Sequence, residues 1–232
     1  SDQLFSTSGY AYVDQRRHVQ PFSHFWKTQS ALFDGFIKES PAYRSAIDGG
    51  AKPAEALTQL KSSKEFMTKL RADKGRLQAG FVAIDPATGH VKAWVGSRDF
   101  RTDQFDHVVQ ARRQPGSTFK PFVYGAAIEQ GMSPDKRFVD RAVEIALPGG
   151  QVWRPADATA PTGRSMSARE GLIYSKNTIT AQVMQEIGPR KTAALARLMG
   201  VTQSKLDEVP ALALGTSPVT LLEMVSAYST LG

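Results

Sequence analysis

The chain has 232 residues, no cysteine and a formal net charge of +7, from 29 Lys and Arg against 22 Asp and Glu. The absence of cysteine excludes disulfides, thiolate metal sites and cysteine nucleophiles, and no run of about eighteen apolar residues is present to span a membrane. The apolar content of 41% is ordinary for a globular protein, so a packed core can form.

The basic excess clusters at Arg16-Arg17, Lys69 to Arg76 and Arg112-Arg113. Aromatic residues are not interleaved with these clusters as a single-strand binder requires, so the charge reads as solvated surface and nucleic acid is not an expected partner. The N-terminus lacks the basic and then apolar segments of a signal peptide. Ser1-Asp2-Gln3 is an abrupt start and suggests a piece cut from a longer protein.

Residues 1–77 read as a helical linker or interdomain segment. Phe22, Phe25, Trp26, Leu32, Phe33, Phe36 and Ile37 suggest one or two aromatic-rich amphipathic helices, broken by Pro41 and then by Gly49-Gly50. Pro53 to Leu60 and Ser63 to Leu70 read as shorter helices. Ser62 with Glu65 three residues on has the pattern of a capping box. No acid, base and nucleophile converge here, and the Phe/Trp stripe reads as core or interdomain contact.

The composition changes at Gln78. Ala79 to Ile84 is strand-like, Asp85-Pro86-Ala87-Thr88-Gly89 is turn chemistry, and His90 to Gly96 is a second strand, which together predict a β-hairpin. His90 has no second His, Asp or Glu at ligand spacing, so no metal site is expected. A polar loop over 97–111 leads to Arg112-Arg113-Gln114-Pro115-Gly116-Ser117-Thr118-Phe119-Lys120-Pro121-Phe122. Pro121 has no N–H to donate and is tolerated only in a first helical turn, so Ser117 falls at or just before a helix start that is predicted to run to about Gly131. Phe119, Phe122, Val123, Ala126 and Ala127 give that helix a core-facing stripe, with Ser117, Lys120 and Tyr124 on another face opening to a cleft. Residues three apart on a helix are neighbours, so Ser117 and Lys120 can pair as nucleophile and base. The same four residues on their own also fit an N-cap serine beside a solvated lysine.

Residues 132–166 are rich in Pro and Gly, with short strands at Ala142 to Leu147 and Val152-Trp153. Trp153 fits either a cleft wall or a core cover. Ser167 with Glu170 predicts a capping box for a helix over Ala168 to Tyr174. Ser175-Lys176-Asn177 interrupts, and helices resume over Thr178 to Ile187 and Arg190 to Met199. Ser217-Pro218 reads as a cap followed by proline at the first helical position, opening a final helix with Leu221, Leu222, Val225, Ala227 and Tyr228.

At this point the motifs carry a resemblance. Arg113 to Phe122 resembles the nucleophile motif of the penicillin-binding transpeptidases, and Ser175-Lys176-Asn177 resembles their S-x-N motif, in the same order and at a similar separation. Leu214-Gly215-Thr216 through Met224 resembles a further family block, with Leu221 where proline is common. The Arg-Arg-Gln lead-in is most similar to the bifunctional class A group. The resemblance covers 78–232. It implies an α/β (α+β) fold of the serine transpeptidase and β-lactamase type, helices packed on a partial antiparallel sheet, here as the N-terminal part of that domain.

The resemblance also implies catalytic roles for Ser117, Lys120, Ser175 and Asn177, without cofactor or metal. Ser117 would attack the D-Ala-D-Ala carbonyl of a peptidoglycan stem peptide, with Lys120 as base. Ser175 would relay a proton and Asn177 would hold the substrate amide. β-Lactams would acylate Ser117 as substrate mimics. The implied parent is membrane-anchored, fused to a glycosyltransferase domain, and placed on the periplasmic face of a bacterial inner membrane. The third family motif, K-[ST]-G, is absent, since Lys191-Thr192 is followed by Ala193. The expectation is therefore a front half with an unpaired strand edge, inactive or weakly active alone. A serine β-lactamase or β-lactam sensor, and a non-catalytic scaffold piece, are the other functions that fit.

Overall fold

The structure is a computed structural model that describes residues 30–75, 78–101 and 103–232. It divides into two units, Ser1–Leu77 and Gln78–Gly232. The expected roles of Phe22, Phe25 and Trp26 lie outside the described residues.

The described part of the first unit is helical: α1 (Ser30–Glu39), α2 (Pro41–Asp48), α3 (Pro53–Ser62) and α4 (Lys64–Lys74). Phe33, Ile37 and Leu70 are its buried centre, with Phe36, Tyr43, Leu57, Leu60, Phe66 and Met67 packed around them. Leu32 points to solvent instead. Proline opens α2 and α3, where its missing N–H costs nothing. The predicted box at Ser62 is displaced by one residue. Ser62 ends α3, and Ser63 caps α4 by accepting the Phe66 N–H at 3.3 Å.

The second unit begins with the predicted hairpin, β1 (Phe81–Ile84) and β2 (Val91–Val95), antiparallel with Phe81 opposite Val95 and a register shift at Ala83/Ile84. Among the described residues these strands pair only with each other. Phe81, Val91, Trp94 and Val95 remain exposed, while Val82 is buried. Next come β3 (Arg112–Arg113), a 3₁₀ turn at Gly116–Phe119, and α5 (Lys120–Glu129). Strands β4 (Arg137–Val139), β5 (Ile145–Ala146), β6 (Val152–Trp153) and β7 (Ser165–Ser167) form two small antiparallel pairs, β4 with β7 and β5 with β6. Helices α6 (Ala168–Ile173), α7 (Asn177–Ile187) and α8 (Pro189–Met199) follow. A 3₁₀ turn at Pro210–Leu214, β8 (Val219–Thr220) and α9 (Leu221–Ser229) complete the unit.

Helix α5 is the hub, packed by α6, α7 and α8. The predicted stripe Phe119, Phe122, Val123, Ala126 and Ala127 is buried, but so are Lys120 and Tyr124. The sequence predicted one buried and one open face; neighbours on several sides close both. Trp153 covers the core, packing against both buried clusters of this unit.

The final helix is capped differently from the prediction. Thr220 and Glu223 form the capping box of α9, while the buried Ser217 hydroxyl accepts the Asp207 N–H at 3.0 Å. Glu223 is buried and accepts five hydrogen bonds: Gln203 N–H and Ser204 N–H at 2.7 Å, Ser204 Oγ at 2.6 Å, Thr220 N–H at 3.0 Å and Thr220 Oγ1 at 2.9 Å. Burial alone would raise its carboxyl, but these donors outweigh it and hold the group at about 2. This anion anchors β8, which pairs with β3 just ahead of the Ser117 turn, Arg113 opposite Val219.

The turn is also fixed by a backbone contact. Gly116 donates its N–H to Gly215 O at 3.3 Å, and a Cβ on Gly215 would fall on the Gly116 backbone. Gly215 also has φ +66°, which costs a side-chain-bearing residue energy.

Two stability predictions follow from these contacts. Gly215→Ala combines backbone overlap with a left-handed φ and should cost about 2–4 kcal/mol in chemical denaturation. Glu223→Ala strands several buried donors and should cost about 3–5 kcal/mol. Because the Glu223 pKa is depressed on folding, its contribution is complete above pH 4.5 and lost as pH falls through about 2. Wild type and variant should therefore converge in stability at acid pH, as read by urea titrations across that range.

Candidate active site

The turn that carries Ser117, the nucleophile expected from the sequence, is built by its own residues. Thr118 N–H and Oγ1 both donate to Pro115 O, at 3.3 and 2.7 Å. Tyr228 of α9 donates its hydroxyl to Thr118 O at 2.6 Å, pinning the turn from the far end of the chain. Ser117 is exposed, and neither its hydroxyl nor its N–H has a hydrogen-bond partner among the described residues. Ser117 is not a helix cap. The residue at the cap of α5 is Phe119, which offers no side-chain acceptor. A free hydroxyl beside a free N–H at a helix start suits a nucleophile that must also stabilise the oxyanion it creates.

Lys120 is 1% exposed, so it is not the solvated lysine of the alternative sequence reading. Its Nζ donates to Ser175 O at 2.5 Å, to Ser175 Oγ at 3.0 Å and to Asn177 Oδ1 at 2.7 Å. An ammonium has three N–H donors, and these acceptors use all of them. No direct Lys120–Ser117 bond forms, unlike the pairing drawn from helical spacing. The cause is competition: a carbonyl and an amide oxygen solvate a buried cation better than an exposed hydroxyl does. Burial is the main influence on Lys120 and lowers its pKa to about 8; Asp157 acts to raise it and Lys176 to lower it.

Ser175 has φ +53° and is the only non-glycine residue with a positive φ among those described. The turn between α6 and α7 forces it, and the reversal directs both Ser175 O and Oγ toward Lys120. Asn177 begins α7. Its Nδ2 donates to Ala156 O at 2.7 Å, leaving Oδ1 turned toward Lys120. The structure thus brings Lys120, Ser175 and Asn177 into one cluster, with Ser117 one turn away and unbonded.

The sequence reading missed the charges behind this cluster. Lys176 lies 3.1 Å from both Asp140 Oδ2 and Asp157 Oδ2, with Asp140 fully buried. Burial would lower the Lys176 pKa, but hydrogen bonds with Asp157 and Asp140 outweigh it and raise the value. Burial would raise the Asp140 carboxyl, yet donors from Thr162, Thr178 and Lys176 hold it well below the usual range. Asp140 and Asp157 sit in loops with no pattern to mark them. The one available signal was the lysine inside S-x-N, which needs a counter-ion if it is buried.

A cavity of about 530 Å³ is lined by Gly80, His107, Arg113, Thr118, Met224 and Tyr228 among others, and none of Ser117, Lys120, Ser175 or Asn177 lines it. This space is therefore distinct from the Lys120 cluster.

Comparisons with known proteins give the family of the second unit. Penicillin-binding protein 1A of Neisseria meningitidis (serogroup A) is 39% identical over 157 residues, covering 66% of this chain and 19% of that protein. The crystal structure of penicillin-binding protein 1A from Haemophilus influenzae superposes with a TM-score of 0.62 at 32% identity, covering 66% of this chain and 23% of that one. The PonA1 protein from Mycobacterium tuberculosis in complex with penicillin V shares the fold, with a TM-score of 0.58 at 21% identity over 85% of this chain and 58% of that one. The chain spans about a fifth of the length of the curated relative. The profile of the penicillin-binding protein transpeptidase domain matches residues 79–232, and the chain belongs to that family.

Proposed function

We propose that residues 78–232 carry the nucleophile side of a peptidoglycan D,D-transpeptidase site, with Ser117 as the residue that is acylated. The observation that supports this most directly is the buried Lys120 Nζ bonded to both Ser175 and Asn177. A solvated, structural lysine would have no need of such a cage.

The chemistry follows from the protonation of Lys120. As an ammonium it uses three N–H groups and can accept nothing. As a neutral amine it releases one acceptor and offers a lone pair, which takes the Ser117 proton directly or through the Ser175 hydroxyl. Ser117 Oγ then attacks the carbonyl of the D-Ala-D-Ala bond of a stem peptide. The Ser117 N–H stabilises the developing oxyanion. As the C–N bond breaks, the departing amine takes its proton through Ser175. An acceptor amine of a neighbouring strand resolves the ester by the reverse sequence. A β-lactam enters the same way, but its amine stays tethered.

The carboxylate contacts that the family draws from K-[ST]-G are not present in these residues, and Lys120 rests away from Ser117. Acylation of this chain is therefore expected to be slow. The proposed setting is the extracytoplasmic face of a bacterial inner membrane, in a parent that is anchored there and also carries a glycosyltransferase domain. No described helix is long and apolar enough to cross a membrane.

Incubation with a fluorescent penicillin, followed by peptide mass mapping, should give one adduct, on the peptide that bears Ser117. Ser117→Ala should remove it. An adduct that survives the substitution, or none in wild type, overturns the assignment. The second-order acylation rate should also depend on pH through Lys120. With its pKa at about 8, the neutral base is scarce below that value, so the rate should fall about tenfold per pH unit on the acid side and level off above it. A flat profile between pH 6 and 9 would remove Lys120 as the base.

A further inference from the structure

We propose that Asp157 is a positioning residue for acylation. Its carboxylate joins the Asn177 N–H and the Lys176 ammonium in one ion cluster, and so sets where Ser175 and Asn177 meet Lys120 and how charge is balanced there. This rests on the roles given above to Ser117 and Lys120, but the argument for Asp157 is geometric.

Helix α7 has no cap from its own sequence, because Lys176 at the N-cap offers no side-chain acceptor. Asp157, twenty residues earlier in the loop between β6 and β7, supplies one. Its Oδ1 accepts the Asn177 N–H at 2.7 Å, which places a carboxylate at the positive end of the helix dipole. The neighbouring Ala156 O accepts Asn177 Nδ2 at 2.7 Å. Two adjacent residues thus hold Asn177 by its backbone and its side chain, and the amide can present only Oδ1 to Lys120.

The other carboxylate oxygen of Asp157 binds Lys176 at 3.1 Å, opposite Asp140. Asp140 is fixed in turn by Thr162 N–H at 3.0 Å, Thr162 Oγ1 at 2.9 Å and Thr178 Oγ1 at 2.7 Å. Lys176 is therefore held from two sides directly between Ser175 and Asn177. That grip holds Ser175 at its left-handed φ, a conformation that costs about 1–3 kcal/mol unless its surroundings enforce it.

The charges acting on the Lys120 ammonium are Asp157 and Lys176, with opposite signs. Groups on the surrounding elements are engaged elsewhere. Tyr124 on α5 shares a hydrogen bond with Thr180, Glu170 on α6 is held in its capping box, Glu186 on α7 pairs with Lys136, and Lys191 on α8 bonds Gln130.

The test is an NMR titration of Lys120 in the 232-residue chain, using lysine labelled with ¹³C and Lys120→Met to assign the signal. Asp157→Asn keeps an oxygen for the Asn177 N–H but removes the charge, and should move the Lys120 midpoint to lower pH. Lys176→Met should move it to higher pH. Asp157→Glu keeps the charge and should leave the midpoint near wild type, which decides the matter if Lys176→Met does not fold. The penicillin acylation profile should shift with the NMR midpoint in Asp157→Asn. Asp157→Ala, which also loses the cap, should slow acylation on the order of tenfold or more.

Unmoved midpoints, or shifts of the same sign for Asp157→Asn and Lys176→Met, overturn the inference, because a merely structural carboxylate would lower stability without a signed change at Lys120. A Ser117 adduct together with an unmoved Lys120 sinks this inference alone. Opposed shifts without any Ser117 adduct sink the acylation role and leave the ion cluster's control of Lys120 standing.

Discussion

A cation buried on the central helix is the constraint that shapes the second unit. Lys120 cannot sit at 1% exposure unless every N–H finds an acceptor, since an unpaired buried charge costs several kcal/mol. The chain meets this demand from the turn between α6 and α7, with two oxygens from Ser175 and one from Asn177. Meeting it requires the turn between α6 and α7 to reverse at Ser175, and that reversal places Lys176 where it too must be paired. Asp140 and Asp157 are the response. The polar cluster at the start of α7 is a chain of consequences from one ammonium.

The backbone around Ser117 answers a different demand. The role proposed for Ser117 needs a hydroxyl that is exposed yet does not drift. Here the fixing is done by neighbours and not by Ser117 itself. Gly116 is pressed against Gly215, Thr118 is tied to Pro115 and Tyr228, and β3 is paired to β8. Glu223 anchors the far side of that pairing through buried donors. Among the described residues, Ser117 is left with a free hydroxyl and a free N–H on a turn held at several points.

Much of this was legible in the sequence where the signal is local. The hairpin followed from apolar strands around Asp85 to Gly89, the stripe of α5 from its spacing, and the box at Ser167 from Glu170 three residues on. Sequence reasoning failed where a third element decided the outcome. Tyr124 and Lys120 read as an open edge because periodicity describes one helix and says nothing of neighbours that close its second side. Ser217 has the pattern of a cap, but Thr220 took the role because β8 continues two residues further and Glu223 can reach back only to Thr220. Asp140 and Asp157 were invisible because their meaning comes from Lys176, which lies far along the chain from both.

The two lysines of the site show how one fold separates two uses of the same side chain. Both are withdrawn from water, and burial pushes both toward the neutral form. Lys176 has two carboxylates in contact and is driven to remain charged. Lys120 has only neutral oxygens in contact, with Asp157 acting on it as a charge but making no direct bond. Its burial is therefore only partly offset, and its pKa falls to about 8. A lysine that faced a carboxylate directly would stay a cation, as Lys176 does, and could not serve in the role proposed for Lys120. The aspartates hold Lys176, and Asp157 also holds the Asn177 N–H directly, but neither touches Lys120 itself. Lys176 is the spacer that allows both: it takes up the negative charge while its neighbours on either side turn neutral oxygens toward Lys120.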